Sequence, residues 1–278
     1  MERKSFSQIL KEASVDLRRE YDRLYSMFCL QKYPNGTGEF VTLKEFCGYN
    51  FINLPFRGTC ISLDDFDDFY GYHFQRNPKD LDLNYLVSFC EYSYNLALYN
   101  QGIMFGMPVV NSNQPMPVYL QQVIKVIEII GYMINSQNGV VDFVPKDQAA
   151  IAVAEIIDPN LSYKLIEYNH HTMKGNLVRK KETLLALADK LEPQRAKLCQ
   201  INKTLESDLF FLFNNVNLRH NNADPNGKAF HSYIEKMGAE DIERWYDEIY
   251  QMCLLAFLEL DNVNRKESVK KLKKDIDT

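Results

Sequence analysis

Apolar positions recur along most of this chain at spacings of three and four, the mark of helices that each bury one stripe. The first series is Phe6, Leu10, Ala13, Leu17, Tyr21, Leu24 and Phe28. Ser5 and Gln8 stand before it in capping-box spacing, and Tyr33-Pro34-Asn35-Gly36-Thr37-Gly38 ends it. From Glu39 to Phe74 the pattern is less regular. Thr42 with Glu45 predicts a short capped helix, Phe51–Phe56 reads as short strands or packed loop, and Ser62 opens a helix over Leu63–Tyr70. Leu83, Leu86, Val87, Cys90, Tyr94, Ala97 and Leu98 make a long helix. Leu120, Val123, Ile124, Ile127, Ile130 and Ile134 make the next, and Gly139–Val144 reads as an extended link.

Between those two helices, Gln101–Tyr119 carries two glycines and three prolines and is the best boundary in the chain. The expected domains are therefore 1–112, a mostly helical N-terminal region, and 113–278, a helical bundle. In the second half Asp147 and Asp158-Pro159 start two helices. Leu177–Leu191 runs to a tight turn at Glu192-Pro193-Gln194, and Leu198, Ile201, Leu205, Leu209, Leu212 and Val216 return from it as an antiparallel hairpin partner. Ile242, Trp245, Ile249, Met252, Cys253, Ala256 and Leu260 mark the last major helix, followed by a basic tail that reads as a solvated, fraying end. Alternating strand–helix units are missing, so the expected fold class is all-α, a multi-helix bundle.

The stretch Leu209–Asn222 stands apart. Read at ~100° per residue as one helix, it sets Leu209, Leu212, Phe213, Val216 and His220 on one stripe and Phe211 and Leu218 almost opposite. Asp208, Asn215, Arg219 and Asn222 form a narrow polar strip between them. A cation in such a place needs a partner, because desolvating an unpaired charge is costly. The partner is either a carboxylate such as Asp208 or Glu243, which makes Arg219 a structural tie, or an anionic ligand.

Bulk properties narrow the chemistry. Hydrophobic residues at 46% and charged residues at 25% describe a globular chain. A net charge of -5 argues against a general nucleic-acid coat but leaves room for a local basic cleft. No apolar run approaches the ~20 residues of a membrane span, and the N-terminus does not read as a signal peptide. The six scattered cysteines suit reduced, buried thiols of a cytoplasmic protein. The aspartates at 64, 65, 67 and 68 lack the order of a calcium loop, and His170-His171 cannot grip one metal from adjacent helical positions, so neither metal nor cofactor is expected. Phosphate-binding glycine loops, zinc-protease motifs and nucleophile elbows are also missing.

What remains is Arg219-His220, with Asn215, Asn221 and Asn222 near it and His231 beyond a loop. Cleaving RNA through its 2′-hydroxyl needs a base, an acid and a cation on the developing phosphorane charge. Histidine supplies the first two near neutral pH, and a guanidinium holds two phosphate oxygens at once. The site expected on these grounds has Arg219 binding phosphate, His220 transferring protons, and Asn215, Asn221, Asn222 and His231 positioning the substrate, without a metal.

Two segments carry a family resemblance. Leu218-Arg219-His220-Asn221-Asn222, ahead of Asp241-Ile242-Glu243-Arg244-Trp245-Tyr246-Asp247, resembles the C-terminal part of bacterial abortive-infection-type proteins of the HEPN superfamily. Glu167–His171, Lys174-Gly175-Asn176 and Arg179–Leu185 are similar to the same group. The resemblance covers the second half of the chain. It implies an all-α bundle, a homodimer, and phage defence through RNA, often as a metal-independent endoribonuclease. The family motif is an Arg, a polar residue, and a His after a gap of four to six residues. Here Asp224, Pro225 and Asn226 stand where that His belongs, and His231 lies further on. Either His220 takes over proton transfer, or the fold is a non-catalytic interaction module (an antitoxin, sensor or other protein-partner binder) with a structural Arg219.

Overall fold

The computed structural model describes residues 15–34, 39–104 and 115–277. The expected start at Ser5 and Gln8, the Asn35–Gly38 part of the first breaker and most of the proline-rich boundary lie outside the described residues. The fold is mostly α-helical, with strands confined to two short antiparallel pairs among the described residues. The chain divides into two compact units at Pro145/Lys146, not after residue 112. The helix and hairpin that follow the proline-rich segment pack back onto the helix that precedes it, so composition marked a connection inside the first unit.

In the first unit, helix α1 (Leu17–Tyr25) starts at Asp16, whose carboxylate accepts the Arg19 amide, and continues into a π-helical turn over Ser26–Leu30. Strands β1 (Tyr33–Pro34) and β2 (Phe40–Val41) pair briefly. Helix α2 (Leu43–Tyr49) has the expected capping box, with Thr42 and Glu45 satisfying each other's backbone amides. Phe51–Asn53 is a single 3₁₀ turn, and α3 (Leu63–Tyr70) runs from its Ser62 cap to a left-handed Gly71. Helix α4 (Leu83–Met104) is the centre of this unit. Leu86, Val87, Phe89, Cys90, Tyr92, Leu96 and Ala97 are buried right round its circumference, so neighbours must cover every side. Tyr21 meets Phe89 edge-on at 5.1 Å, and Phe28 stacks on Tyr119 at 5.2 Å.

Helix α5 (Pro115–Ile129) is shorter than the apolar series predicted. Gly131, at φ 83°, takes a left-handed turn that L side chains resist, and Ile134 lies in a strand. Strands β3 (Tyr132–Gln137) and β4 (Val140–Pro145) form a hairpin across Asn138-Gly139, both at positive φ. That dipeptide is the strongest short hairpin signal, and the reading of 139–144 as a link passed over it. The outer edge of β4 is closed by α4. The Asn95 side-chain amide exchanges both hydrogen bonds with the Val141 backbone, and Glu91 Oε1 accepts the Phe143 amide. An i, i+4 pair on a helix thus meets an i, i+2 pair on a strand.

In the second unit, α6 (Gln148–Ala154) and α7 (Pro159–Glu167) start at the expected caps, Asp147 and Asp158. Helix α8 (Leu177–Leu191) leads through a 3₁₀ turn at Glu192–Gln194 into α9 (Arg195–Ile201). Asn202 then breaks the predicted continuous return helix and caps α10 (Lys203–Asn215). The expected α8–α10 hairpin is therefore replaced by α9 folding against α10, with α8, α9 and α10 all packing on the long α12 (Ala239–Ile276). A single-turn helix α11 (Ser232–Glu235) precedes α12. Ile242, Tyr246, Ile249, Tyr250, Cys253, Phe257 and Leu260 line the buried stripe of α12. Beyond Leu260 the helix goes on, exposed, through the basic stretch that was expected to fray. No helix among the described residues is long and apolar enough to cross a membrane.

Candidate functional site

The segment expected to carry function is not one helix. Helix α10 stops at Asn215, and Asn217 turns left-handed at φ 53°. The Arg219 amide then reaches back to the Phe213 carbonyl at 3.0 Å, which closes the helix end. The two-sided apolar helix with a polar strip is thereby corrected. Phe211, placed on the second apolar stripe, is 62% exposed, while Leu218 is buried because the loop, not the helix, turns it inward.

Asn217 is held from two helices. Lys181 Nζ of α8 donates to its carbonyl at 2.7 Å and the Tyr246 hydroxyl of α12 at 3.1 Å. Burial lowers the Lys181 pKa and pushes that of Tyr246 up to about 12. The Asn217 side-chain oxygen is buried without a hydrogen-bond donor among the described residues.

From Leu218 the chain makes a closed loop, and Asn222 is its clasp. The Asn222 side chain is fully buried. Its Oδ1 accepts the Asn217 amide at 2.9 Å, and its Nδ2 donates to the carbonyls of Asn214 at 3.1 Å and Ala229 at 2.8 Å. Its own carbonyl accepts the His231 amide at 2.8 Å. Inside the loop Asp224 makes an Asx turn to Asn226, and its carbonyl accepts the Gly227 amide. A Cβ at Gly227 would stand 3.1 Å from that same carbonyl, so any side chain there would have to displace the turn by a few tenths of an ångström. Asn222, expected to contact substrate, has no surface to offer one and positions the loop instead.

The remaining candidates lie on this loop. His220, Asn221 and His231 are exposed. His231 Nε2 is 2.9 Å from Asn215 Oδ1, whose amide nitrogen also donates to the Phe211 carbonyl. Arg219 is engaged. Its Nη2 meets Glu192 Oε2 at 2.6 Å, and its guanidinium lies 5.1 Å from the Phe213 ring and 5.7 Å from the Phe210 ring. The carboxylate partner is thus neither Asp208 nor Glu243. Arg219 keeps 20% of its side-chain surface and Glu192 keeps 47%, so the pair sits at the rim of the unit and stays open to solvent. Glu192 belongs to the turn that Pro193 announces, but nothing in its spacing ties it to Arg219.

Beneath the loop, Glu243 has a different task. Lys180, with only 7% of its side chain exposed, bridges Glu243 at 2.7 Å and Asp247 at 2.6 Å. Its ammonium lies 5.3 Å from the Tyr168 ring, whose hydroxyl donates to Asp247. Hydrogen bonds from Lys180 and then from the Gly175 amide hold the Glu243 carboxyl below its usual range. This network joins α8 to α12. Of the segments singled out in the sequence, Gly175, Lys180, Glu243 and Asp247 belong to this network. No family model, curated protein or solved structure matches the chain.

Four of the six free thiols are held in their protonated form by burial. Burial raises the pKa of Cys47, Cys90 and Cys253 and pushes Cys29 up to about 12, which keeps them protonated and unreactive.

Proposed function

We propose that the chain is a HEPN-like protein of the abortive-infection, phage-defence type that acts on RNA through the loop Leu218–His231. One observation carries the reading. The chain folds back so that the His231 amide bonds to Asn222 and its ring to Asn215. A second exposed imidazole therefore joins Arg219 and His220 on one closed loop, although Asp224, Pro225 and Asn226 stand where the family spacing calls for a His.

The chemistry follows from the groups present. One imidazole takes the 2′-hydroxyl proton, and the oxygen it leaves attacks the adjacent phosphorus. The other imidazole protonates the departing 5′-oxygen. Arg219 holds the phosphorane charge, with the phosphate displacing Glu192, since both anions offer the paired oxygens a guanidinium fork prefers. No step calls on a metal. A homodimer that sets two such loops across one cleft belongs to this reading, as does a cytoplasmic place of work.

A specific contact favours a second reading. The Glu192 bridge and the Phe210 and Phe213 rings occupy Arg219 as a structural cation would be occupied. The chain is then a non-catalytic module that binds a protein partner. Incubating the purified chain with mixed RNAs in excess EDTA separates the two. The first reading expects cleavage to 2′,3′-cyclic phosphate ends, a loss of about 10²–10⁴-fold in His220→Gln or His231→Gln, and retained activity in Glu192→Gln. Intact RNA with the wild-type chain, both as monomer and as dimer, leaves only the second.

A further inference from the structure

We propose that the far end of α12 pairs with the same segment of a second copy of this chain as a parallel two-stranded coiled coil. Every residue from Asn264 to Asp277 is exposed, yet the segment is helical as far as Ile276 and carries an apolar series. Val269, Leu272 and Ile276 are 49%, 58% and 73% exposed. Their spacing of three and then four residues lays them along one helix face.

The series has heptad order. With Val269 and Ile276 at the first position, a, Leu272 falls at the fourth, d. At the same spacing further back, Asn262 takes the preceding a and Arg265 the preceding d, and Leu255 and Leu258 form the pair before them. Leu258, Asn262 and Arg265 line one groove with Ala152 of α6, so they share a face, and that face is open where the helix leaves the body of the second unit. The helix already exists in the single chain, so pairing does not carry the cost of nucleating one. Arg265 is the poor fit among these positions. Its guanidinium is drawn back to Asp261 of its own helix at 2.7 Å, which leaves the alkyl stem, not the charge, to cover the seam.

Charge decides the partner and its direction. The flank at e carries Lys266 and Lys273, and the flank at g carries Asp261, Ser268 and Asp275. In a parallel, in-register pair, g of one helix faces the next e of the other. Asp261, while it keeps Arg265, then meets Lys266 of the second copy, and Ser268 meets Lys273. An antiparallel pair sets e against e and g against g. That brings Lys266 to Lys273 and Asp261 to Asp275, like charges at both flanks. Asn262 is a second constraint, because a single buried Asn at an a position fixes register and two-stranded pairing by meeting its own counterpart.

The same pattern disfavours other occupants. A helix that lies on a membrane has a cationic polar face, whereas Asp261, Glu267, Asp275 and Asp277 interrupt this one. An RNA tract would take the lysines and leave the apolar series uncovered.

Sedimentation equilibrium of the full chain from about 5 to about 500 µM tests the pairing. The expected result is a reversible monomer–dimer equilibrium with a dissociation constant on the order of 10 µM. Leu272→Asp should raise that constant at least about tenfold, and Lys266→Glu about fivefold. Both side chains are exposed in the single chain, so circular dichroism should show the fold unchanged in each variant. Lys271→Glu, on the back of the helix, should leave the constant as it is. Ile276→Cys should give a disulfide-linked dimer in oxidised glutathione that the wild-type chain does not give, since the parallel register sets the two copies of position 276 side by side. A monomer at every concentration, association only on adding RNA, no cross-link through Ile276→Cys, or full dimerisation in Leu272→Asp overturns the proposal. The last of these would still leave room for a dimer that joins two Arg219 loops, so the pairing and the RNA reading fail separately.

Discussion

Replacing Asn222 with alanine is the sharpest test of how the candidate loop is held. The side chain, itself fully buried, joins three partly buried backbone groups, the Asn217 amide and the carbonyls of Asn214 and Ala229, at 2.8–3.1 Å. Each intact bond is worth about 1 kcal/mol net, but a backbone group left unpaired in the interior costs about 1–3 kcal/mol. Some of the three will find water once the loop relaxes, so the expected loss is about 3–5 kcal/mol, a large share of a typical stability of about 5–15 kcal/mol. Asn222→Asp keeps the shape and the acceptor but turns an oxygen toward two carbonyls, so at neutral pH it should cost at least as much. Urea unfolding followed by fluorescence reads this directly, because Trp245 on α12 is the only tryptophan in the chain and reports the second unit. With a slope of about 1–3 kcal/mol per molar urea, the midpoint should fall by about 2 M. A loss below about 1 kcal/mol with an unchanged slope would falsify the clasp, and with it the fixed placement of His231.

Two further outcomes follow from the packing. Lys180→Met leaves Glu243 and Asp247 without their shared cation and should destabilise the second unit by about 3–5 kcal/mol at neutral pH. The Glu243 carboxyl lies below its usual range in the folded state. Its contribution is therefore complete above the unfolded carboxylate pKa of about 4.3 and is lost as pH falls through the lower folded value. Lys180→Met should flatten that acid limb in a stability–pH profile, and an unchanged profile would contradict the assignment. Asn95→Ala removes both bonds to the Val141 backbone. Amide exchange at Val141 should speed up about tenfold or more relative to the cross-strand amides of the same hairpin, on the scale of one lost hydrogen bond or two.

Helix existence and most helix starts were legible in the sequence. Thr42 with Glu45, Ser62, Asp147 and Asp158-Pro159 act within three residues of themselves, and local signals survive whatever tertiary structure surrounds them. Helix ends were less legible. The periodicity ran past Ile129 and Asn215 because an apolar residue at the right spacing is buried as well by a strand or a loop as by another turn of helix. The decisive residues there were Gly131, Asn138-Gly139 and Asn217, each at positive φ. Asn202 likewise divided one apolar series into two helices.

The sequence on its own settled that this chain is built from helices with buried apolar stripes, and it singled out Arg219, His220 and the asparagines around them. Only the three-dimensional arrangement decided what those groups touch. Glu192 reaches Arg219 across a turn and two helices, His231, 16 positions beyond Asn215, returns to it through a loop that Asn222 closes, and Lys180 finds Glu243 and Asp247 on a helix far along the chain. Pairings of that kind depend on distances set by packing between elements, which no spacing along a single segment encodes.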